Sequence, residues 1–196
     1  MEYSLFTNMD RCTPEEVQRL LLLVPDKQKE EALKFKHTFG QFATLESFLL
    51  LRQLLVENYQ VDLNDPLDFV VGEHGKPSLR NHPHIHFNIS HCPNAIAVAV
   101  DDAPIGVDVE RYVNPSPSLL NYCMNEQECQ QVQESEYPER DFAALWTQKE
   151  ALFKQRGTGI THELRMVLAH PHSDVKLSTE TFDEQQFAFT LASAVR

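Results

Sequence analysis

Apolar side chains recur at helical spacing early in the chain and at alternate positions in its middle, and that change of period divides the sequence. Thr13-Pro14-Glu15-Glu16 reads as a helix start, with Thr13 as N-cap, Pro14 at the first helical position and Glu16 three residues after the cap. A helix follows through Leu20 to Leu23, and Pro25-Asp26 restarts the chain into a second one carrying Lys27, Lys29 and Lys34. The clearest helix covers about 42–59, where Leu45, Phe48, Leu49 and Val56 share one face. Asn64-Asp65-Pro66 closes the helical region.

Strands take over from there. Phe69-Val70-Val71 is short and apolar. Over 84–90 Ile85, Phe87 and Ile89 point one way, and His84, His86, Asn88 and Ser90 the other. Cys92-Pro93-Asn94 turns into a second strand over 96–100, and Asp101-Asp102-Ala103-Pro104 into a third over 105–110, which predicts an antiparallel meander. Residues 114–117 read as irregular and 126–133 as a helix. A stronger helix is expected from Asp141 as N-cap to Gly157, followed by strands near 165–169 and 186–195. Each half thus reads as helices followed by strands, an α+β fold of two similar halves, although no sequence repeat marks them.

Composition narrows the class. With 196 residues, 42% hydrophobic and 23% charged, the chain has ordinary globular make-up and length for one domain or two small ones. No apolar run approaches the roughly 20 residues of a membrane helix, and the N-terminus lacks a basic stretch before an apolar core, so neither a membrane span nor a signal peptide is expected. Cys12, Cys92, Cys123 and Cys129 show no CxxC spacing, which suits reduced thiols and a cytoplasmic address. A net charge of -12 disfavours nucleic acid as partner.

Candidate chemistry lies in the second half. In Ile105-Gly106-Val107-Asp108-Val109-Glu110 the odd positions are apolar, and Gly106, Asp108 and Glu110 share the other face. Carboxylates at i and i+2 sit ~6.5–7 Å apart at the backbone. They can converge on one hard cation with oxygens at about 2.0–2.1 Å, or simply line a wet strand face. Gly106 leaves room for a ligand to approach. On the following helix Phe142, Leu145, Trp146 and Phe153 form an apolar stripe with Glu150 at its flank and Lys154 one turn on. Glu150 and Lys154 read either as a helix-surface ion pair or as a metal ligand and a phosphate contact. Lys149 falls inside the apolar face and needs an acidic partner or a path to water. Gly75-Lys76-Pro77 reads as an exposed turn, and Ser90-His91 as either a phosphate contact or a hairpin cap. His82, His84 and His86 read as a polar strand face rather than a zinc site.

Taken in order, Gly75-Lys76-Pro77, Phe87-Asn88-Ile89-Ser90-His91, Gly106-Val107-Asp108-Val109-Glu110 and Trp146-Thr147-Gln148-Lys149-Glu150-Ala151-Leu152-Phe153-Lys154 resemble the 4'-phosphopantetheinyl transferases of the larger, surfactin-synthetase-activating type. The resemblance runs from about Pro25 to Gly159. It implies a monomer of two similar α+β halves related by a pseudo-twofold axis, here 1–104 for coenzyme A and 105–196 for the metal ligands and catalytic helix. It implies transfer of the 4'-phosphopantetheine group from coenzyme A to a serine of an apo-carrier protein. Asp108, Glu110 and Glu150 would hold Mg²⁺, and Lys76, Ser90, His91 and Lys154 would meet coenzyme A phosphates. Lys27, with Lys29 as the alternative, would meet the 3'-phosphate, and Thr44 the coenzyme. Glu150, Lys154 and His91 would serve the chemistry, with Glu150 or a water as base. Glu128 falls where the family often has an acid. Carriers served by this family are usually acidic, so docking on an acidic chain is expected to be apolar. Tyr122, Cys123 and Met124 suit either that patch or the core. A metal-dependent phosphohydrolase and a noncatalytic coenzyme A or carrier-binding module are the competing readings.

Overall fold

One order of elements occurs twice: a strand, then helices, then an antiparallel pair. The computed structural model describes residues 1–161 and 163–195. The first half has β1 (Glu2–Phe6), α1 (Pro14–Leu21), α2 (Asp26–Leu33), α3 (Thr38–Tyr59), a small hairpin of β2 (Phe69–Val71) and β3 (Pro77–Leu79), then β4 (His86–Cys92) and β5 (Ala95–Asp101). The second has β6 (Ile105–Arg111), α4 (Pro117–Cys123), α5 (Glu126–Glu134), α6 (Pro138–Arg156), β7 (Val175–Phe182) and β8 (Phe187–Ala194). The larger sheets are ordered β1-β5-β4 and β6-β8-β7, antiparallel throughout. In each, the strand that opens the half pairs with the strand that closes it. The expected α+β architecture of two similar halves is therefore present.

The period of two in the strands explains the layering. In β5, Ile96, Val98 and Val100 join the core under α3, while Ala95, Ala97 and Ala99 face away from it. Those alanines meet Ile105, Val107 and Val109 of β6 and Phe187, Phe189 and Leu191 of β8 in a third cluster between the sheets. Small residues on one side and large ones on the other let two sheets pack closely. Tyr3 of β1 stacks on Phe189 of β8 at 5.2 Å between ring centroids. The opposite faces of β6 and β8, Gly106, Asp108 and Glu110 with Ala188, Thr190 and Ala192, are left for α6.

Several expectations need correction. The meander ends at β5: β1 occupies its second edge, and β6 crosses to the other sheet and pairs with β8. The strong helix begins at Pro138 with Tyr137 at the N-cap, not at Asp141, because proline at the first position already sets helical φ. Asp141 instead accepts a hydrogen bond from Ser135 Oγ at 2.8 Å. Residues 167–169 form a short 3-10 turn rather than a strand, and β1, β7 and α4 were not legible. Ser116, in the stretch read as irregular, caps α4 by accepting from the Leu119 amide. Thr13 caps α1 as expected, and Gly157 ends α6 with φ 69°. Among the described residues no helix is long and apolar enough to cross a membrane.

Candidate active site

β4 and β6 are both edge strands, and they meet through side chains instead of a ladder. Asn88 Oδ1 accepts from the Val107 amide at 2.8 Å, and Ser90 Oγ from the Val109 amide at 3.3 Å. The polar face of β4 is therefore covered at Asn88 and Ser90, which are 5% and 7% exposed. An unpaired edge needs partners for its amides, and here the neighbouring half supplies them. This contact brings Ser90 to Asp108 and α6 across both.

Asp108 is 2% exposed. Its Oδ1 accepts from Ser90 Oγ at 2.8 Å and from Lys154 Nζ at 2.6 Å, while Lys154 also reaches Ser90 Oγ at 3.0 Å. The helix-surface pairing of Glu150 with Lys154 is not formed. Asp108 Oδ2 is buried without a hydrogen-bond partner. Glu110 Oε1 accepts from Trp146 Nε1 at 3.2 Å. Burial, then the charge of Asp108, push the Glu110 carboxyl up to about 7. The same two causes, in the same order, raise Glu150. With Ile89 and His91 these residues line a cavity of about 350 Å³. Among the described residues no three acidic, histidine or cysteine side chains close to cation-binding distance, and the Lys154 ammonium rests on Asp108. The donor set nevertheless fits a hard divalent cation: an orphaned buried carboxylate oxygen, with two neighbouring carboxyls whose ionisation is held back by burial and by the charge of Asp108.

The remaining expected residues spread along one groove. Ile89 and His91 also border a cavity of about 430 Å³ lined by Lys27, Thr44, Ser47 and Phe48. Lys29 is engaged with Asp26 at 2.7 Å, so Lys27 is the lysine of α2 that lines this cavity. Thr44 Oγ1 donates back to Gly40 O at 2.8 Å. Desolvation of the His91 ring, then the charge of Lys154, lower its pKa, and its ring meets Phe39 edge-on at 5.6 Å.

Three readings change. Lys76 is not an exposed point charge: its Nζ donates to the carbonyls of Ile105, Lys154 and Gln155, and burial lowers its pKa to about 8. Gly106 leaves no room for a ligand, since a Cβ there would collide with Ala151 O and Gln155 N of α6. Glu128 is the acidic partner of Lys149, at 2.7 Å, and closes the capping box of α5 with Asn125. Cys123 and Met124 are fully buried, whereas Tyr122 is exposed. His82 Nε2 lies 3.0 Å from Asp65 Oδ2, and His84 is exposed. Sequence reasoning passed over Asn88 and the indole of Trp146. The available signal for Trp146 was an N–H donor at the flank of an apolar stripe facing an acidic strand.

Comparison with known proteins covers both halves of the chain. The sequence model of the 4'-phosphopantetheinyl transferase superfamily matches residues 104–194, and that of a 4'-phosphopantetheinyl transferase N-terminal region matches residues 11–103. The 4'-phosphopantetheinyl transferase ffp of Bacillus subtilis is 32% identical over 175 residues, covering 88% of this chain and 78% of its own. Sfp of Bacillus subtilis (strain 168), a 4'-phosphopantetheinyl transferase, is 30% identical over 178 residues, 89% of this chain and 79% of its own. AcpT of Salmonella typhi, also a 4'-phosphopantetheinyl transferase, is 38% identical over 97 residues, 46% of this chain and 50% of its own. This chain belongs to the 4'-phosphopantetheinyl transferases.

Proposed function

We propose that the chain moves the 4'-phosphopantetheine group of coenzyme A onto a serine of an apo-carrier protein, releasing 3',5'-ADP. The observation that carries the reading is the buried Asp108, with its orphaned oxygen, at the seam of two halves and beside Lys154. Asp108, Glu110 and Glu150 would hold Mg²⁺, which when bound would supply positive charge to the diphosphate. Lys27 and Thr44 border the cavity suited to the 3'-phosphate end. His91 and Ser90 complete the phosphate-facing wall.

In the reaction the serine oxygen bonds to the phosphorus carrying the pantetheine arm. The bond from that phosphorus to the bridging oxygen breaks, and 3',5'-ADP leaves with the electron pair. Glu150, on the face of α6 that lines the cavity, takes the hydroxyl proton. Lys154 turns from Asp108 to the departing oxygen, where charge grows, and His91 donates beside it. Glu128 serves no such role, being spent on Lys149. We place the boundary between coenzyme and metal halves at 104/105, one residue from the point where the matched segments meet, 103/104. Four free thiols suit a cytoplasmic setting, and we read the enzyme as a monomer.

Incubation with coenzyme A, Mg²⁺ and a panel of apo-carriers, read by intact mass, tests the reading. Phosphopantetheinylated carrier is expected. Free phosphopantetheine without a protein adduct would mean hydrolysis, and binding without turnover a noncatalytic module.

A further inference from the structure

Helix α6 ends at Gly157 in the left-handed conformation, φ 69°, and the Gly157 amide bonds the carbonyl of Phe153 at 2.9 Å. The carbonyls of Lys154 and Gln155 lie beyond that bond and need donors from elsewhere. They receive them from the opposite half. The Lys76 ammonium sits 2.6 Å from Lys154 O, 3.2 Å from Gln155 O and 2.9 Å from Ile105 O, the last being the opening residue of β6. Its stem runs along Gly157, where an added Cβ would stand 3.4 Å from Lys76 Cδ. Lys76 itself is held by the β2–β3 turn, closed by the bond from the Gly72 amide to Lys76 O at 2.9 Å.

We propose that Lys76 is a positioning residue for the transfer reaction, a cation from the first half that caps α6 and fixes the backbone from which Lys154 reaches Asp108. The inference deepens the proposed function and rests on it for its kinetic arm. Two features give the contact its leverage. The residue whose carbonyl Lys76 holds most closely is Lys154, whose own ammonium lies 2.6 Å from Asp108. Lys76 also lines, with Gly75, Pro77, Glu150 and Lys154, a cavity of about 270 Å³ in the same groove. A molecule lodged there presses on the turn carrying the cap, so filling of the groove and the setting of Lys154 are linked through one side chain.

Lys76→Met, with Lys76→Gln as the milder variant that keeps a neutral donor, decides the matter by two measurements. The first is hydrogen exchange of the amides at 153–157 in the ligand-free protein. Loss of a cation from a partly buried helix C-terminus should speed it about tenfold in Lys76→Met. The second is steady-state transfer, where kcat should fall about tenfold or more while KM for coenzyme A moves less than about threefold, the mark of a group acting in the transition state through Lys154. Unchanged exchange, or a raised KM with kcat retained, overturns the proposal and returns Lys76 to a direct ligand contact. If the wild type transfers nothing, the reading of function fails, and the exchange result alone still decides whether Lys76 caps α6.

Discussion

Asp108 and Glu110 sit two residues apart on one strand, yet burial and partners set them in opposite conditions. Asp108 has a cation and a hydroxyl against one oxygen, whereas Glu110 has an indole N–H and two acidic neighbours. Between its ordinary value of 4.5 and about 7, the folded protein keeps a Glu110 proton that the unfolded chain has released. Stability of the metal-free protein is therefore highest below that window and is lost as pH rises through it. Glu110→Gln removes this slope, so in chelator its advantage over wild type should grow by on the order of 2–3 kcal/mol between about pH 5 and 8. Asp108→Asn should lose ~1–3 kcal/mol, because Lys154 loses its counter-charge. Urea titrations at the two pH values check both, and equal pH slopes for wild type and Glu110→Gln would refute the account. Transfer should be lost in either variant. These acids were legible because alternation on a strand and one-turn spacing on a helix place them on facing surfaces. The direction of Lys76 was not, since nothing local decides which way a turn lysine swings. The burial of Asn88 and Ser90 was equally hidden, because the half that covers them lies elsewhere in the chain.

At the scale of elements, α6 is held against β6, β8 and α5 by contacts of different kinds. Gly106 lets the two backbones approach, and Thr147 Oγ1 lies 2.8 Å from Thr190 Oγ1 of β8. Lys149, fully buried, joins α6 to Glu128 of α5 and to the carbonyls of Cys123, Leu164 and Arg165. Removing one member of a buried ion pair strands the other, so Lys149→Met should cost about 3–5 kcal/mol. Denaturant unfolding measures it, and a loss below about 1 kcal/mol would mean that Glu128 finds water or another partner. Helix ends with explicit chemistry, Thr13 and Gly157, were readable from the sequence. The start of α6 was misread because Asp141 resembles a cap and Pro138 outranks it. β1 escaped because a short strand at a sheet edge owes its conformation to a partner remote in sequence.

For the molecule as a whole, a net charge of -12 repels acidic partners at long range, so carrier docking must rest on short-range contact. Tyr122 is the exposed member of the apolar group expected there, while Cys123 and Met124 belong to the core. Nearby, Asn125, Glu126, Arg165 and Met166 wall an open depression of about 570 Å³. Raising salt from ~0.05 to ~0.2 M should change the carrier's KM by no more than about twofold, since screening acts chiefly on exposed charge pairs. A steep loss of carrier affinity in initial-rate assays would point to a basic docking surface instead. The two-half plan could be read from the sequence as helices giving way to strands, but the close packing of the sheets could not, because the alanines of β5 serve a neighbour that local pattern does not reveal. The chain holds one tryptophan, and its indole N–H ends on Glu110. Tryptophan emission, excited selectively over the five tyrosines, therefore comes from a single position beside the acids, and a cation or proton that alters Glu110 should alter that light. The enzyme carries its own unlabelled optical gauge of site loading, readable in a stopped-flow instrument before a single turnover is complete.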